Sequence, residues 1–296
     1  MIRNQANLRT LGTSFSALFT AGLGIAAPQY DEVATIVPSN TGQNEYGWLG
    51  EIEGMREWVG DRHLSDISTS SYVIKNKKFE RTIEVKGDDI DDDNVGIYSM
   101  RFRNLGRAAG AHPNELVFGA LKAGFNTNCY DGQFFFDTDH PVIGADGNPT
   151  TVANTDGGAG APWFLFDSTQ VTKPIIFQKR KDYSFKAMDN VEDEQVFMRD
   201  SYRYGVDARV NVGYGFWQVC WGSKQALSAA NYEAAHAALV GMKGDYGRPL
   251  GIMPDTLVVG ASNASAARKI LNAELINGGD SNTNKGTAKL IVSPWL

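Results

Sequence analysis

The sequence predicts an α+β fold with an elongated domain, and three stretches carry that prediction. Between Tyr204 and Phe216, the apolar residues Tyr204, Val206, Ala208, Val210, Val212, Tyr214 and Phe216 alternate with Gly205, Asp207, Arg209, Asn211, Gly213 and Gly215. A strict period of two marks a strand with one buried face. At about 3.3 Å per residue this strand spans roughly 43 Å, far beyond the ordinary length. Residues 95–125 follow a helical period instead, through Tyr98, Phe102, Leu105, Ala109, Leu116, Ala120 and Ala123. In residues 222–296 helices and strands succeed one another.

The elements follow in chain order. Residues 1–45 read as an arm in which Leu8, Leu11, Phe15, Leu18 and Phe19 recur at helical spacing until Pro28 ends the pattern. The stretch 11–27 is weakly apolar, like a signal peptide, but it is broken by Thr13, Ser14, Ser16 and Thr20 and by three glycines. We read it as an amphipathic helix or extended arm. Nothing within 1–45 covers its apolar stripe, so the stripe is expected to bury on neighbouring copies of the chain.

Residues 46–86 hold Trp48, Trp58, Tyr72 and Phe79 among many charges. Within 72–86, Asn76-Lys77 separates two strand-like runs, which predicts a hairpin. Phe79, Ile83 and Val85 share one parity of the second run. A long hairpin alone is marginal in water and should lie on something.

Asp88, Asp89, Asp91, Asp92 and Asp93 suggest a calcium loop, but Gly96 is misplaced for one and Met100 stands where the bidentate Glu should be. They read better as an acidic flank of the next helix, with Asn94 or Asp93 as cap. Pro113 then predicts two helical runs parted at Ala111 and His112. Residues 137–162, with five glycines from Gly144 to Gly160, predict a surface loop. Further on come an Ala-rich helix over 227–239 stopped by Gly241 and a buried strand over 256–260. A helix over 263–276 follows, capped by Ser262 and ended by Asn277-Gly278-Gly279, and then a strand over 290–292.

Composition narrows the function. The 296 residues allow one large domain or two to three modest ones. With 42% apolar and 21% charged residues, a sizeable core is available. A net charge of −6 argues against a chain-wide nucleic-acid binder. Cys129 and Cys220 by themselves make neither a disulfide framework nor a zinc site, and read as free thiols in a reducing compartment. No run of about 18 apolar residues is present to span a membrane.

Enzyme signatures fail on inspection. Residues 260–264, Gly-Ala-Ser-Asn-Ala, follow a strand and open a helix like a nucleophile elbow. That fold needs its histidine after the serine, whereas His63, His112, His140 and His236 all precede Ser262. Asp137, Asp139 and His140 read as a turn before Pro141 rather than metal ligands. The basic run Lys179, Arg180 and Lys181 reads as a solvated strand edge. No phosphate loop is present. The residues thus give no catalytic site, no cofactor site and no metal site.

The runs RYGVDARVNVGYGFWQ, DGQFFFDTDHPV and AKLIVSPWL resemble the major head subunit of Mu-like tailed phages. The stretch from LSAANYEAAHAALV through GRPLG to ASAARKILNAE is similar to a segment shared more widely among tailed-phage capsid proteins. The resemblance covers essentially the whole chain. It implies a Hong Kong 97-like capsid fold with an arm (1–45), an extended loop (46–86), a peripheral domain (87–221) and an axial domain (222–296). One departure is the Pro113 break in what the resemblance implies is a spine helix.

The implied function is a structural, non-enzymatic major capsid protein that self-assembles, as pentamers and hexamers, into a shell around double-stranded DNA. Virion location and assembly in the host cytoplasm are implied with it. Implied partners are further copies of the chain, scaffold, portal and decoration proteins, and DNA held without sequence specificity. Phe15, Phe19, Trp48, Trp58, Tyr72 and Phe79 are the expected intersubunit contacts. Arg3 and Arg9 are the expected positive spots on an otherwise acidic or neutral wall. An encapsulin-like compartment around protein cargo is the competing shell reading, and an esterase-like hydrolase the competing enzyme.

Overall fold

The alternation around Val206 becomes a strand of 14 residues whose buried positions alternate along most of its length. The computed structural model that places it describes residues 2–49, 72–276 and 278–296, without the Gln195 side chain. The helices are α1 (Gln5–Leu23), α2 (Tyr30–Val33), α3 (Gly87–Asp91), α4 (Gly96–Ala123), α5 (Glu194–Arg199), α6 (Ala229–Val240) and α7 (Ala264–Asn272). The first strands are β1 (Ala34–Pro38), β2 (Gln43–Glu45), β3 (Val73–Lys75), β4 (Lys77–Lys86), β5 (His140–Ile143), β6 (Pro149–Val152), β7 (Thr155–Gly158) and β8 (Trp163–Phe166). They are followed by β9 (Ile175–Met188), β10 (Ser201–Tyr214), β11 (Cys220–Lys224), β12 (Thr256–Val259), β13 (Leu275–Ile276), β14 (Asp280–Ser281) and β15 (Lys289–Val292).

Two sheets organise the chain. The first has the order β1-β9-β10-β4, with β10 antiparallel to both neighbours and β1 parallel to β9. The second has the order β15-β12-β8-β11-β7. Its strand β8, Trp-Phe-Leu-Phe, is buried at every residue, as befits a strand covered on both faces.

One face of β10 presents Tyr202, Tyr204 and Val206 to a core shared with α1 and α4. Phe15 of α1 stacks on Phe102 of α4 with centroids 4.1 Å apart, and both meet Tyr204 edge-on. Edge-to-face and offset pairs of this kind add to the burial of their large apolar area. The two helices approach so closely because glycines line the contact. A Cβ on Gly22 would overlap the Arg103 carbonyl, and one on Gly106 would overlap that of Phe19. The arm's stripe is therefore buried within its own chain, not on a neighbour, which corrects the sequence expectation. Residues far apart in sequence supply the cover, and helical spacing alone does not reveal them.

Pro113 lies inside one helix of 28 residues instead of parting two. Proline in a helix interior removes a hydrogen bond and costs about 3 kcal/mol. Burial on both sides of it offsets that cost. Tyr98, Phe102 and Leu105 enter the core with α1, and Val117, Phe118 and Leu121 enter the larger core of the second sheet. The neighbouring Asn114 accepts from the backbone N–H groups of Gln29 and Tyr30 and donates to the Ala27 carbonyl, fastening the exit of the arm to the spine.

Other local expectations are corrected. The runs beside Asn76 do not form a hairpin with each other: β3 pairs with β2, while β4 pairs with β10 from Lys77 to Lys86. The buried Gln178 side chain holds this junction by donating to the Ile74 carbonyl and to Asn76 Oδ1. Neither Asp93 nor Asn94 caps α4, whose N-cap Val95 offers no side-chain bond. Asp93 instead takes positive φ after α3, and Asp89 accepts from the Tyr98 hydroxyl. Residues 137–162 hold the paired strands β5 and β6 and the strand β7. Helix α7 ends at Asn272, and Ser262 lies exposed in a 3-10 turn before it without capping it. Ser228 does cap α6, accepting from the Asn231 N–H.

The sheets also cross the predicted boundaries. The first sheet takes β1 from the arm and β4 from the predicted loop, and the second takes β7, β8 and part of β11 from residues before 222. Most of the predicted loop, 50–71, lies outside the described residues.

Phe15→Ala should destabilise the isolated subunit by about 3–5 kcal/mol, the usual loss for a buried phenylalanine. Urea denaturation of unassembled protein reads this directly. A loss below about 1 kcal/mol would mean that α1 leaves the spine in the free subunit.

Candidate functional site

The six predicted contact residues meet different fates. Phe15 and Phe19 are buried in their own chain, at 2% and 4% exposure, so they offer no surface to a neighbour in this conformation. Tyr72 is largely occupied inside the molecule: its hydroxyl accepts from the Tyr214 N–H at 2.8 Å and its carbonyl from the Tyr46 N–H. Phe79 is half-buried and meets His112 edge-on, with centroids 4.4 Å apart. Trp58 lies outside the described residues. Trp48 stands out among the six: it rests edge-on against Tyr46 and Phe216 and leaves 47% of its surface exposed.

The charges on the arm differ from expectation too. Arg3 pairs with Asp91 and Asp200, which cancels its charge and ties the start of α1 to α3 and to the C-terminal end of α5. Arg9 is exposed. In β9, Lys179 pairs with Asp182 and Lys181 with Asp207, and β1 accompanies the strand only as far as Lys179.

The sequence reading missed two features. Phe197 and Met198, at 87% and 69% exposure, project from α5 at the connection between β9 and β10, where Met188 and Val191 are also exposed. Two large apolar residues close behind the acidic run from Asp189 to Glu194 are the available signal. The second feature is a buried cluster of Cys129, Asp131 and His140. The sequence places His140 beside Asp137 and Asp139 in a turn. It lies instead in β5, wholly buried, with Nδ1 2.6 Å from Asp131 Oδ2. Its ring stacks on Trp217 at 4.0 Å, nearly parallel. The Cys129 thiol and the Gln133 N–H both donate to Asp131 Oδ1 at 3.0 Å. Burial works to raise the Asp131 carboxyl, but the bonds from His140 and Cys129 hold it below the ordinary value. Burial, and then Asp131, pushes the Cys129 thiol up.

His112 is the other engaged histidine, its Nδ1 against the Tyr183 hydroxyl across α4 and β9. Burial lowers its pKa, and Glu115 opposes that only in part.

A long-stranded sheet backed by an arm helix and an unbroken spine helix, joined to a second sheet of short strands, is the layout of Hong Kong 97-like phage capsid subunits. Comparison with known proteins agrees across the chain. The family model of the Mu-like prophage major head subunit gpT matches residues 8–296. The Mu-like prophage FluMu major head subunit of Haemophilus influenzae is 46% identical over 98% of this chain and 97% of its own length. The major capsid protein of Escherichia phage Mu is 38% identical over the full length of both. Among solved structures, a subunit of the procapsid of bacteriophage JBD30 superposes with a TM-score of 0.86 at 45% identity, over 99% of this chain and 100% of that one. A subunit of the JBD30 capsid decorated with minor capsid protein trimers gives 0.77 at 33% identity, over 94% of each. This chain belongs to the family of Mu-like major head subunits, the major capsid proteins of these phages.

Because burial favours neutral His112, the folded chain binds fewer protons than the unfolded chain below the ordinary histidine value of 6.5. Its contribution is complete above that value and is lost as pH falls through it towards the lowered folded value. Between about pH 7.5 and about pH 5.5, His112→Gln should therefore lose less stability than wild type. Urea midpoints of the two proteins at both pH values check the sign. Equal losses would exclude His112 as a contributor.

Proposed function

We propose that the chain is the shell-forming subunit of a phage head, assembled as pentamers and hexamers around double-stranded DNA that it confines without reading its sequence. The observation that carries this reading is the whole-chain likeness to a procapsid subunit. In the proposed subunit, the first sheet with α1 and α4 is the peripheral domain, and the second sheet with α6 and α7 is the axial domain. Assembly takes place in the host cytoplasm with scaffold and portal proteins. Decoration by a minor capsid protein is supported by the decorated JBD30 capsid.

Catalysis is not part of the proposal. Ser262 is exposed and caps nothing, while His140 is engaged with Asp131, His112 with Tyr183, and His236 packs near Tyr232. The cargo-compartment alternative is not favoured, since the relatives that span the chain are head subunits.

Electron microscopy of assemblies purified from phage particles tests the reading: closed shells of this chain holding nuclease-protected DNA support it, and particles whose shell lacks this chain overturn it. Trp48 is the proposed intersubunit contact. Trp48→Ala should reduce the yield of closed shells at least several-fold while changing subunit stability by no more than about 1 kcal/mol, since nearly half of the ring is already exposed. Unchanged assembly would remove Trp48 from the interface.

An acidic chain whose Arg3 is already paired should bind duplex DNA weakly. Free subunits titrated with duplex across a salt series should show a shallow slope. A steep fall in affinity with salt, reporting many phosphate contacts, would contradict confinement without tight binding.

A further inference from the structure

We propose that Cys129, Asp131 and His140 form a binding site for a divalent metal of the zinc class. Their ligand atoms lie within 4.8 Å of one another: a sulfur, a carboxylate oxygen and an imidazole nitrogen. Thiolate, carboxylate and imidazole together suit zinc, and three protein ligands plus one open position are a recurrent zinc arrangement.

The hydrogen bonds around Asn154 carry the proposal. Its side-chain NH₂ donates to the carbonyls of Phe135, Trp217 and Cys220. The atom it turns to the ring is therefore its carbonyl oxygen, 3.2 Å from His140 Nε2. Nε2 must carry a proton to donate there, so a neutral ring has its lone pair on Nδ1. Nδ1 lies 2.6 Å from Asp131 Oδ2, so it either carries a second proton and donates to the carboxylate or offers its lone pair to a cation held by both. The position between them requires a cation. A proton on Nδ1 leaves Asp131 accepting from both His140 and the Cys129 thiol, whereas a metal takes the imidazole, the carboxylate and the sulfur together. The outer shell is also that of a metal-bound histidine, with the second ring nitrogen donating to a carbonyl and the ring orientation fixed, here by Trp217.

Charge and geometry are consistent with this. Binding releases the thiol proton and any Nδ1 proton to solvent, and thiolate plus carboxylate neutralise the divalent charge in a buried site. Zinc–ligand distances of about 2.0–2.3 Å place tetrahedral ligand atoms about 3.3–3.6 Å apart, so His140 and Asp131, now 2.6 Å apart, must part slightly, while any pair nearer the 4.8 Å limit must close. The Asp131 side chain, 10% exposed, gives the solvent side where a water would complete the shell. A metal here would clamp the segment that follows α4 to β5, whose His140 ring stacks on Trp217.

The test uses the full-length subunit purified without chelator, with cobalt(II) as spectroscopic probe. We expect one cobalt per chain, a near-ultraviolet thiolate-to-cobalt charge-transfer band, and displacement of that band by zinc. Cys129→Ser should abolish the band and Asp131→Asn should weaken cobalt binding at least tenfold, both with native circular dichroism. Cys220→Ser, which removes the other thiol, should keep the band. Folded wild type that takes up neither cobalt nor zinc overturns the proposal and leaves the position to a proton. A band that survives in Cys129→Ser overturns it as well.

Discussion

Phe15 lies between Phe102 and Tyr204, and that one aromatic contact fixes three layers: the arm helix, the spine helix and the long strand. It depends on Gly22 and Gly106, which let two backbones meet where any Cβ would overlap a carbonyl. Much of the first half of the molecule follows from it. Strand β10 can run for 14 residues because helices cover one of its faces while Arg203, Asp207 and Arg209 keep the other compatible with water. The spine can tolerate Pro113 because it is buried before and after it, in two different cores.

Polar side chains join what apolar packing leaves loose. Asn114 gathers three backbone groups where the arm leaves the spine, Gln178 fastens β3 to β9, and Asn154 gathers three carbonyls between the β5–β6 segment and the start of β11. Each amide is well buried, and a buried amide without partners would cost more than its bonds return, so each specifies one arrangement of its neighbours. His140 belongs to the last of these junctions, which is why a histidine close to a turn in sequence became the most enclosed of the described histidines.

These junctions shape the subunit as an assembly unit. With the arm's stripe satisfied internally, surface for neighbours must come from elsewhere: the half-exposed Trp48, and Phe197 and Met198 at the far end of the β9–β10 pair. A lone exposed apolar residue is ordinary, but two fully presented ones on a single helical turn are uncommon outside interfaces. Surface charges pair locally, as in Arg3 with Asp91 and Asp200, which leaves few free cations on the arm for a polyanion.

Periodicity and resemblance made much legible before any coordinates. The seven alternating residues of 204–216 determined a long one-faced strand, because a period of two has no other stable use at that length. The quoted runs determined the family, and Gly241 and the run Thr-Leu-Val-Val over 256–259 determined their local elements. Tertiary structure alone decided which strands pair, since β4 and β3 are neighbours in sequence yet serve different sheets, and register is set by long-range complementarity. It alone decided that Phe15 and Phe19 face inward, because an amphipathic pattern states that a stripe must be covered without naming the cover. And it alone brought Cys129 and Asp131 to His140, since a site assembled across a turn and a strand leaves no fixed spacing in the chain.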